Sequence, residues 1–286
     1  MKDNNRQYNL STIHLLLEQN GIKLLKSMGQ NFLIDNNIPA KIVSYTDINK
    51  NSGVLEIGPG LGALTAELCK ISGYVTAVEM DKRLIPILND VFKEQENLSI
   101  VQGDILKLNI KDLVNKTMSG LNHHVCANLP YNITTPVITS LIESGVFNSI
   151  TVMMQKEVAG RICANPGTPE YGAFTVFTNY HTIPEILFDV SPECFSPRPK
   201  VVSSVVKMKI RAERLLNNTD EKKFFKVVKA AFGQRRKTLV NALYAVFGNL
   251  HDKESIIKVV KTCGFDERIR GEVLSINDFI KLSELL

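Results

Sequence analysis

Along the first two-thirds of the chain, compact apolar runs alternate with segments whose apolar residues recur every three or four positions. The runs "VLEIGPG", "GYVTAVEMD", "LSIVQGDI", "HHVCANLPY" and "SITVMMQ" read as five strands. Between them, "LTAELCKI" sets Leu64, Leu68 and Ile71 on one helical face. "LIPILNDVF", "TPVITSLIESG" (closed by Gly145) and "KEVAGRI" keep the same period, and a short helix over residues 12–19, ended by Gly21, comes first. Strands alternating with helices predict an α/β domain whose mostly parallel sheet is covered on both faces.

Residues 165–200 interrupt that rhythm with proline-rich loops, "NPGTPEYG" and "FSPRPK", and "VVSSVVKMKI" then reads as a late antiparallel strand at or near an edge. The segment "RAERLLNNTDEKK" is a polar joint without β character, so the expected domains are 1–210 and 211–286. The second is read as a small all-helical domain. Asp220 and Asp252 are expected helix caps in it, and Ser275 with Asp278 forms a capping-box signature. A length of 286 residues suits two domains.

Composition narrows the class. Apolar content of 44% and charged content of 22% are those of an ordinary globular protein, and no apolar run approaches a membrane span. The N-terminal residues do not read as a secretory signal. Five cysteines at 69, 126, 163, 194 and 263 lack any C-x-x-C pair, which suits reduced thiols and a cytoplasmic location. The adjacent His123 and His124 have no ligand-spaced partners, so no metal is expected. The net charge of +5 arises wholly after residue 210, and "KKFFKVVKAAFGQRRK" (222–237) carries seven cations and no acid. A basic run of that kind suits a solvated helix face or a surface for a polyanion.

Gly58-Pro59-Gly60-Leu61-Gly62 sits between a strand and a helix, where glycines let backbone approach a ligand. The loop alone does not separate a nicotinamide dinucleotide from another adenosine-bearing cofactor. Glu56 stands beside it, Glu79 ends the second strand, and Asp104 ends the third. A crevice lined by acids repels a pyrophosphate and suits a cationic ligand with one ribose and one adenine. That description fits S-adenosylmethionine better than a dinucleotide.

At the end of the fourth strand, "ANLPYNITTP" turns in an unusual way: a tyrosine directly after proline has no turn duty. Asn128 offers an amide oxygen, Leu129 a backbone carbonyl, and Tyr131 a ring face. Two acceptors and a ring suit a planar base with an exocyclic amine.

Taken in order, "SMGQNFLID", "VLEIGPGLGALT", "AVEMD", "GDIL" and "ANLPYNITTP" resemble the successive motifs of the ribosomal RNA adenine dimethyltransferases. "EVAGRI", "YGAFTVF", "CFSPRPKVVSSVVKM" and "AFGQRRKTLVNAL" resemble the housekeeping small-subunit branch more than the erythromycin-resistance branch. The resemblance covers roughly residues 20–286 and leaves the first 20 without a role. It implies a Rossmann-like methyltransferase domain with a helical C-terminal domain. Asn31 and Leu33 would close over S-adenosylmethionine with Gln30 beside them. Gly58 and Gly60 would approach its methionine part, Glu79 its ribose, and Asp104 and Ile105 its adenine, with Met80 a further cofactor-binding residue. Asn128 would lie between cofactor and base, with Tyr131 and Phe195 bracketing that base.

The implied reaction is dimethylation of the 6-amino groups of two adjacent adenosines in the 3′-terminal hairpin loop of small-subunit rRNA. Its setting would be an assembling 30S particle, with the protein acting as a monomer in ribosome biogenesis. Lys222, Lys226 and Lys229 recur as one helical stripe, with Phe225, Val228 and Phe232 facing inward, and Arg235, Arg236 and Lys237 extend the patch toward RNA. The alternatives are a resistance-type enzyme acting on large-subunit rRNA and a non-catalytic assembly factor. A DNA adenine methyltransferase and a dehydrogenase fit less of the chain.

Overall fold

A computed structural model describes residues 10–22, 30–216, 218–234 and 236–286. Residues 27–29 of the "SMGQNFLID" motif and Arg235 of the basic patch lie outside the described residues. The chain forms two compact units, one of residues 1–159 with 185–210 and the other of residues 160–184 with 211–286. A single boundary near 211 therefore leaves out one excursion: the segment from 160 to 184 packs with the C-terminal residues.

In the first unit, α1 (Leu10–Gln19), β1 (Phe32–Leu33) and α2 (Asn37–Ser44) precede a regular alternation. This runs through β2 (Ser52–Ile57), α3 (Ala63–Ile71), β3 (Tyr74–Glu79), α4 (Ile85–Val91), β4 (Leu98–Gln102) and α5 (Ile110–Thr117). It continues with β5 (Asn122–Asn128), α6 (Thr134–Ser144), β6 (Ser149–Gln155) and α7 (Lys156–Ile162). After α8 (Ala173–His181), the chain adds β7 (Thr182–Val190), β8 (Phe195–Ser196) and β9 (Ser203–Ile210). The helices α9 (Asn218–Gly233), α10 (Leu239–Phe247), α11 (Lys253–Thr262) and α12 (Ile276–Leu285) complete the chain.

The main sheet has the order β4-β3-β2-β5-β6-β9-β7. Strands β2 to β6 are parallel neighbours, and β9 runs antiparallel to β6. Every residue of β2 is buried, which is why its run is almost continuously apolar rather than alternating. The winding reverses between β2 and β5: β3 and β4 are laid down on one side, and β5 and β6 on the other. In open α/β sheets, such a reversal opens a crevice at the carboxyl ends of the strands.

Three elements escape the hydrophobic pattern. The edge strand β7 buries only its first and last residues and carries a proline and two acids, so no apolar run marks it. The aromatic and β-branched residues of α8 have strand-like propensity, and packing of Val176 and Tyr180 into the helical core overrides it. Helix α5 is short and polar on average and is held by the side chain of Asn109 at its N-cap.

The second unit has its own apolar centre, built around Phe224, Leu243, Ile256, Leu274 and Phe279. Asp252 caps α11 by accepting from the Ser255 amide at 2.7 Å, and Ser275 and Asp278 form the reciprocal capping box of α12. α9 begins at Asn218, so Asp220 lies in the first turn and not at the N-cap position, and an acid there favours the positive end of the helix.

Candidate active site

The register of the sheet brings the predicted residues to one level. Ile57 pairs with Val78, Glu79 with Gln102 and Asn128 with Met153, so β2, β3, β4 and β5 end together. The turns after these ends line a single cavity. Gln30, Asn31, Leu33, Gly58, Gly60, Glu79, Met80, Asp104, Ile105, Asn128, Leu129 and Tyr131 all border it, as does Glu56.

The glycine turn is shaped by contacts rather than by flexibility. Gly60 has φ of 61°, and a Cβ there would lie 2.9 Å from the ring of Phe32. Its amide donates to Oε2 of Glu79 at 3.2 Å, while the Asp81 amide donates to Oε1 at 2.8 Å. Glu79 is thus aimed by two backbone donors, and burial raises its pKa above the ordinary 4.5 despite them. Behind it, Asp81 pairs with Arg83 at 2.6 Å and accepts from Gln30 Nε2 at 2.9 Å. The Arg83 bond is the main reason that the Asp81 carboxyl falls to about 2.

Glu56 is the surprise in electrostatics. Its side chain lines the cavity, yet the residue is only 1% exposed, and its Oε2 has no hydrogen-bond partner. Burial, reinforced by repulsion from Glu79, lifts its pKa from 4.5 to about 8. Burial thus favours its neutral, protonated form. The sequence locates this residue but not its raised pKa, because burial is a property of the assembled sheet.

On the other wall, the Asn128 amide nitrogen donates to the Asn31 carbonyl at 3.2 Å, which leaves its oxygen as an acceptor. The Leu129 amide donates to Met153 O at 3.1 Å, and Leu129 and Pro130 continue the strand end into a short turn over Tyr131–Ile133. Tyr131 is half-buried, with its hydroxyl 2.7 Å from Ser203 Oγ. After β4, Asp104 Oδ1 accepts from the Leu106 amide at 3.1 Å, and Lys107 Nζ stands 3.7 Å from Oδ2. Met80 is 56% exposed at the rim.

Phe195 corrects the expected two-ring bracket. It is 3% exposed, sits opposite Leu33 in the β1–β8 pair, and belongs to an apolar cluster with Leu33, Ile42 and Val190. It is not among the described residues that line the cavity, and it packs in the same apolar cluster as Leu33.

A sequence model of the ribosomal RNA adenine dimethylases matches residues 21–282. The chain belongs to that family. It is accordingly an S-adenosylmethionine-dependent methyltransferase, with the Rossmann-like fold of that class and a helical C-terminal region. Family relatives called ribosomal RNA small subunit methyltransferase A align over nearly the whole chain. The Clostridioides difficile protein is 42% identical, covering 95% of this chain and 93% of its own length. The Staphylococcus aureus protein is 43% identical, covering 99% and 97%. Among solved structures, a dimethyladenosine transferase from Plasmodium falciparum superposes with a TM-score of 0.75 at 27% identity, covering 88% of this chain and 95% of that one. The 23S rRNA methyltransferase ErmE reaches 0.71 at 24% identity over 90% and 99%, a likeness of fold.

The basic stripe belongs to the second unit. Lys222, Lys226 and Lys229 are exposed along α9, opposite buried Phe224, Val227 and Val228, with Phe225 and Phe232 partly buried. The Lys226 ammonium lies 4.7 Å from the Phe247 ring centroid, which steadies one member of the stripe. Arg236 and Lys237 are exposed as well. Among the described residues, no cluster of His, Cys, Asp or Glu could hold a metal ion, and no helix is long and apolar enough to cross a membrane.

Proposed function

We propose that this protein dimethylates the 6-amino groups of two adjacent adenosines in the 3′-terminal hairpin loop of small-subunit rRNA, within an assembling 30S particle in the cytoplasm. The observation that carries the reading is that Asn128, Leu129 and Tyr131 border the same cavity as the glycine turn and Glu79. The names of the curated relatives favour the small-subunit substrate over the large.

The cavity fits S-adenosylmethionine by its own chemistry. A buried carboxyl at Glu56, whose Oε2 has no hydrogen-bond partner, suits a cationic group, and the aimed carboxylate of Glu79 suits ribose hydroxyls. Gly58 and Gly60 suit the methionine part, Asp104 and Ile105 the adenine, and Gln30, Asn31, Leu33 and Met80 complete the enclosure. When bound, the cofactor supplies an electrophilic methyl on sulfur.

An adenine amine is a weak nucleophile because its lone pair is delocalised into the ring. The Asn128 oxygen and the Leu129 carbonyl accept its two N–H bonds, draw the nitrogen toward a pyramidal geometry and free the lone pair. Tyr131 stacks on the base, which must be unpaired or flipped out to reach it. Rate enhancement then comes from placement and preorganised acceptors. Lys222, Lys226, Lys229, Arg236 and Lys237 hold phosphates, contacts that set affinity rather than sequence choice.

The test is incubation with labelled S-adenosylmethionine and undermethylated small subunits, with large-subunit RNA alongside, followed by nucleoside analysis. Dimethyladenosine in the small-subunit sample supports the reading. Label only in the large-subunit RNA points to the resistance-type enzyme, and label in neither points to an assembly factor.

A further inference from the structure

Tyr131 has a partner that lies 72 positions away in sequence and is absent from the motif containing it. Its hydroxyl is 2.7 Å from Ser203 Oγ. The main chain at the corner is already secured, since the Ile133 amide and the Thr134 hydroxyl both donate to Pro130 O, at 3.2 and 3.1 Å. What the corner does not secure is the tyrosine side chain, whose two torsions set the plane of the ring. Burial raises the pKa of the phenol, so it stays neutral and can donate or accept.

Ser203 is unusually well placed to hold it. The residue is fully buried, at 0% exposure, and opens β9 opposite Gln155 of β6. On one side of it, the Lys156 amide donates to Val202 O at 3.0 Å. On the other, the Ser204 hydroxyl donates to Asp189 Oδ1 at 2.6 Å, and Lys156 Nζ donates to Oδ2 of the same carboxylate at 2.6 Å. Residues 202–204 are therefore tied to β6, α7 and β7 by bonds that do not involve the cavity. A hydroxyl on such backbone is a fixed point.

We propose that Ser203 is a positioning residue that sets the plane of the Tyr131 ring against the target base and thereby governs completion of the second methyl transfer. This rests on the reading of Tyr131 as the stacking ring and adds a division of labour. In the first transfer, two N–H bonds and the ring align the base. After it, only one N–H remains for Asn128 and Leu129 to hold, so stacking carries a larger share of the alignment. Loss of ring orientation therefore harms the second transfer more than the first.

The experiment compares Ser203→Ala, Tyr131→Phe and the double variant on undermethylated small subunits, with quantified mono- and dimethyladenosine. Losing one buried hydrogen bond predicts a fall of roughly fivefold to tenfold in kcat/KM for the particle in each single variant. Monomethyladenosine should accumulate, affinity for S-adenosylmethionine should stay unchanged, and the double variant should be no worse than either single one. A bond that only satisfies buried hydroxyls would lower the urea midpoint without moving the product ratio, and that outcome overturns the proposal. So do additive losses in the double variant. Should Ser203→Ala fail to fold, an unchanged product ratio in Tyr131→Phe overturns it alone. Full turnover in Tyr131→Ala would instead reject the stacking ring itself.

Discussion

Glu56 and Glu79 keep their carboxyl groups out of water, whereas Lys222, Lys226 and Lys229 keep their ammonium groups in it. The two regions carry opposite charge types, but the more instructive difference is how each charge is controlled. In the crevice, burial dominates: it pushes both glutamates up and leaves one carboxyl oxygen without a partner. On α9, solvent dominates, and each lysine is one of several nearly equivalent cations. The crevice should therefore fail at single residues, and the helix should fail by degrees.

The sharpest break in that contrast would come from Asn128→Ala. We expect methyl transfer to be abolished in the labelled-particle assay, because one acceptor and the Asn31 tether vanish together. Retained turnover would remove the proposed acceptor. Tyr131→Ala comes next. Stacking worth about 1–3 kcal/mol predicts a loss of roughly one to two orders of magnitude in kcat/KM, with cofactor affinity nearly intact by calorimetry. Equal loss of both would mean that the ring packs rather than recognises.

Charge reversal on the stripe, Lys226→Glu with Lys229→Glu, should act gradually. RNA affinity should fall, and the slope of log K against log salt should flatten by roughly 0.7 to 0.9 for each phosphate that is no longer neutralised. A slope that stays fixed would place the RNA surface elsewhere.

The last prediction concerns pH. The pKa of Glu56 rises from 4.5 in the unfolded chain to about 8 in the folded one, so between these values the folded state holds the extra proton. Stability of the cofactor-free protein should accordingly fall as pH rises through that window, and Glu56→Gln should flatten the fall in a thermal-melt series. Affinity for the cationic cofactor should rise over the same range. A variant whose melting curve tracks the parent at every pH would show that Glu56 ionises freely.

The legible parts of this molecule share a physical cause. β2, β3 and β6 were plain in the sequence because strands buried on both faces must be apolar throughout. β7 was not, since an edge strand needs no apolar run, and α8 was hidden because its strand-like residues form a helix only against Phe224 and its neighbours. At the site, Gly58, Glu79, Asp104 and Asn128 stood out because each ends or closely follows a strand with a residue type that packing does not require. Ser203 carried no such signal: serine in "VVSSVV" is unremarkable until the fold brings Tyr131 against it. Phe195 shows the reverse, a residue conspicuous in its motif whose ring faces the core.

By itself the sequence determined which segments are strands and helices in the parallel half, which side chains could do chemistry, and that the surplus positive charge lies after residue 210. Those are local properties, written in periodicity, residue type and count. The tertiary structure alone decided that the winding reverses between β2 and β5, so that the glycine turn and the Asn128 corner open onto one cavity. It likewise decided that burial raises the Glu56 pKa and that the Tyr131 hydroxyl meets Ser203. Desolvation and long-range hydrogen bonds depend on what surrounds a group in space, which no stretch of neighbouring residues specifies.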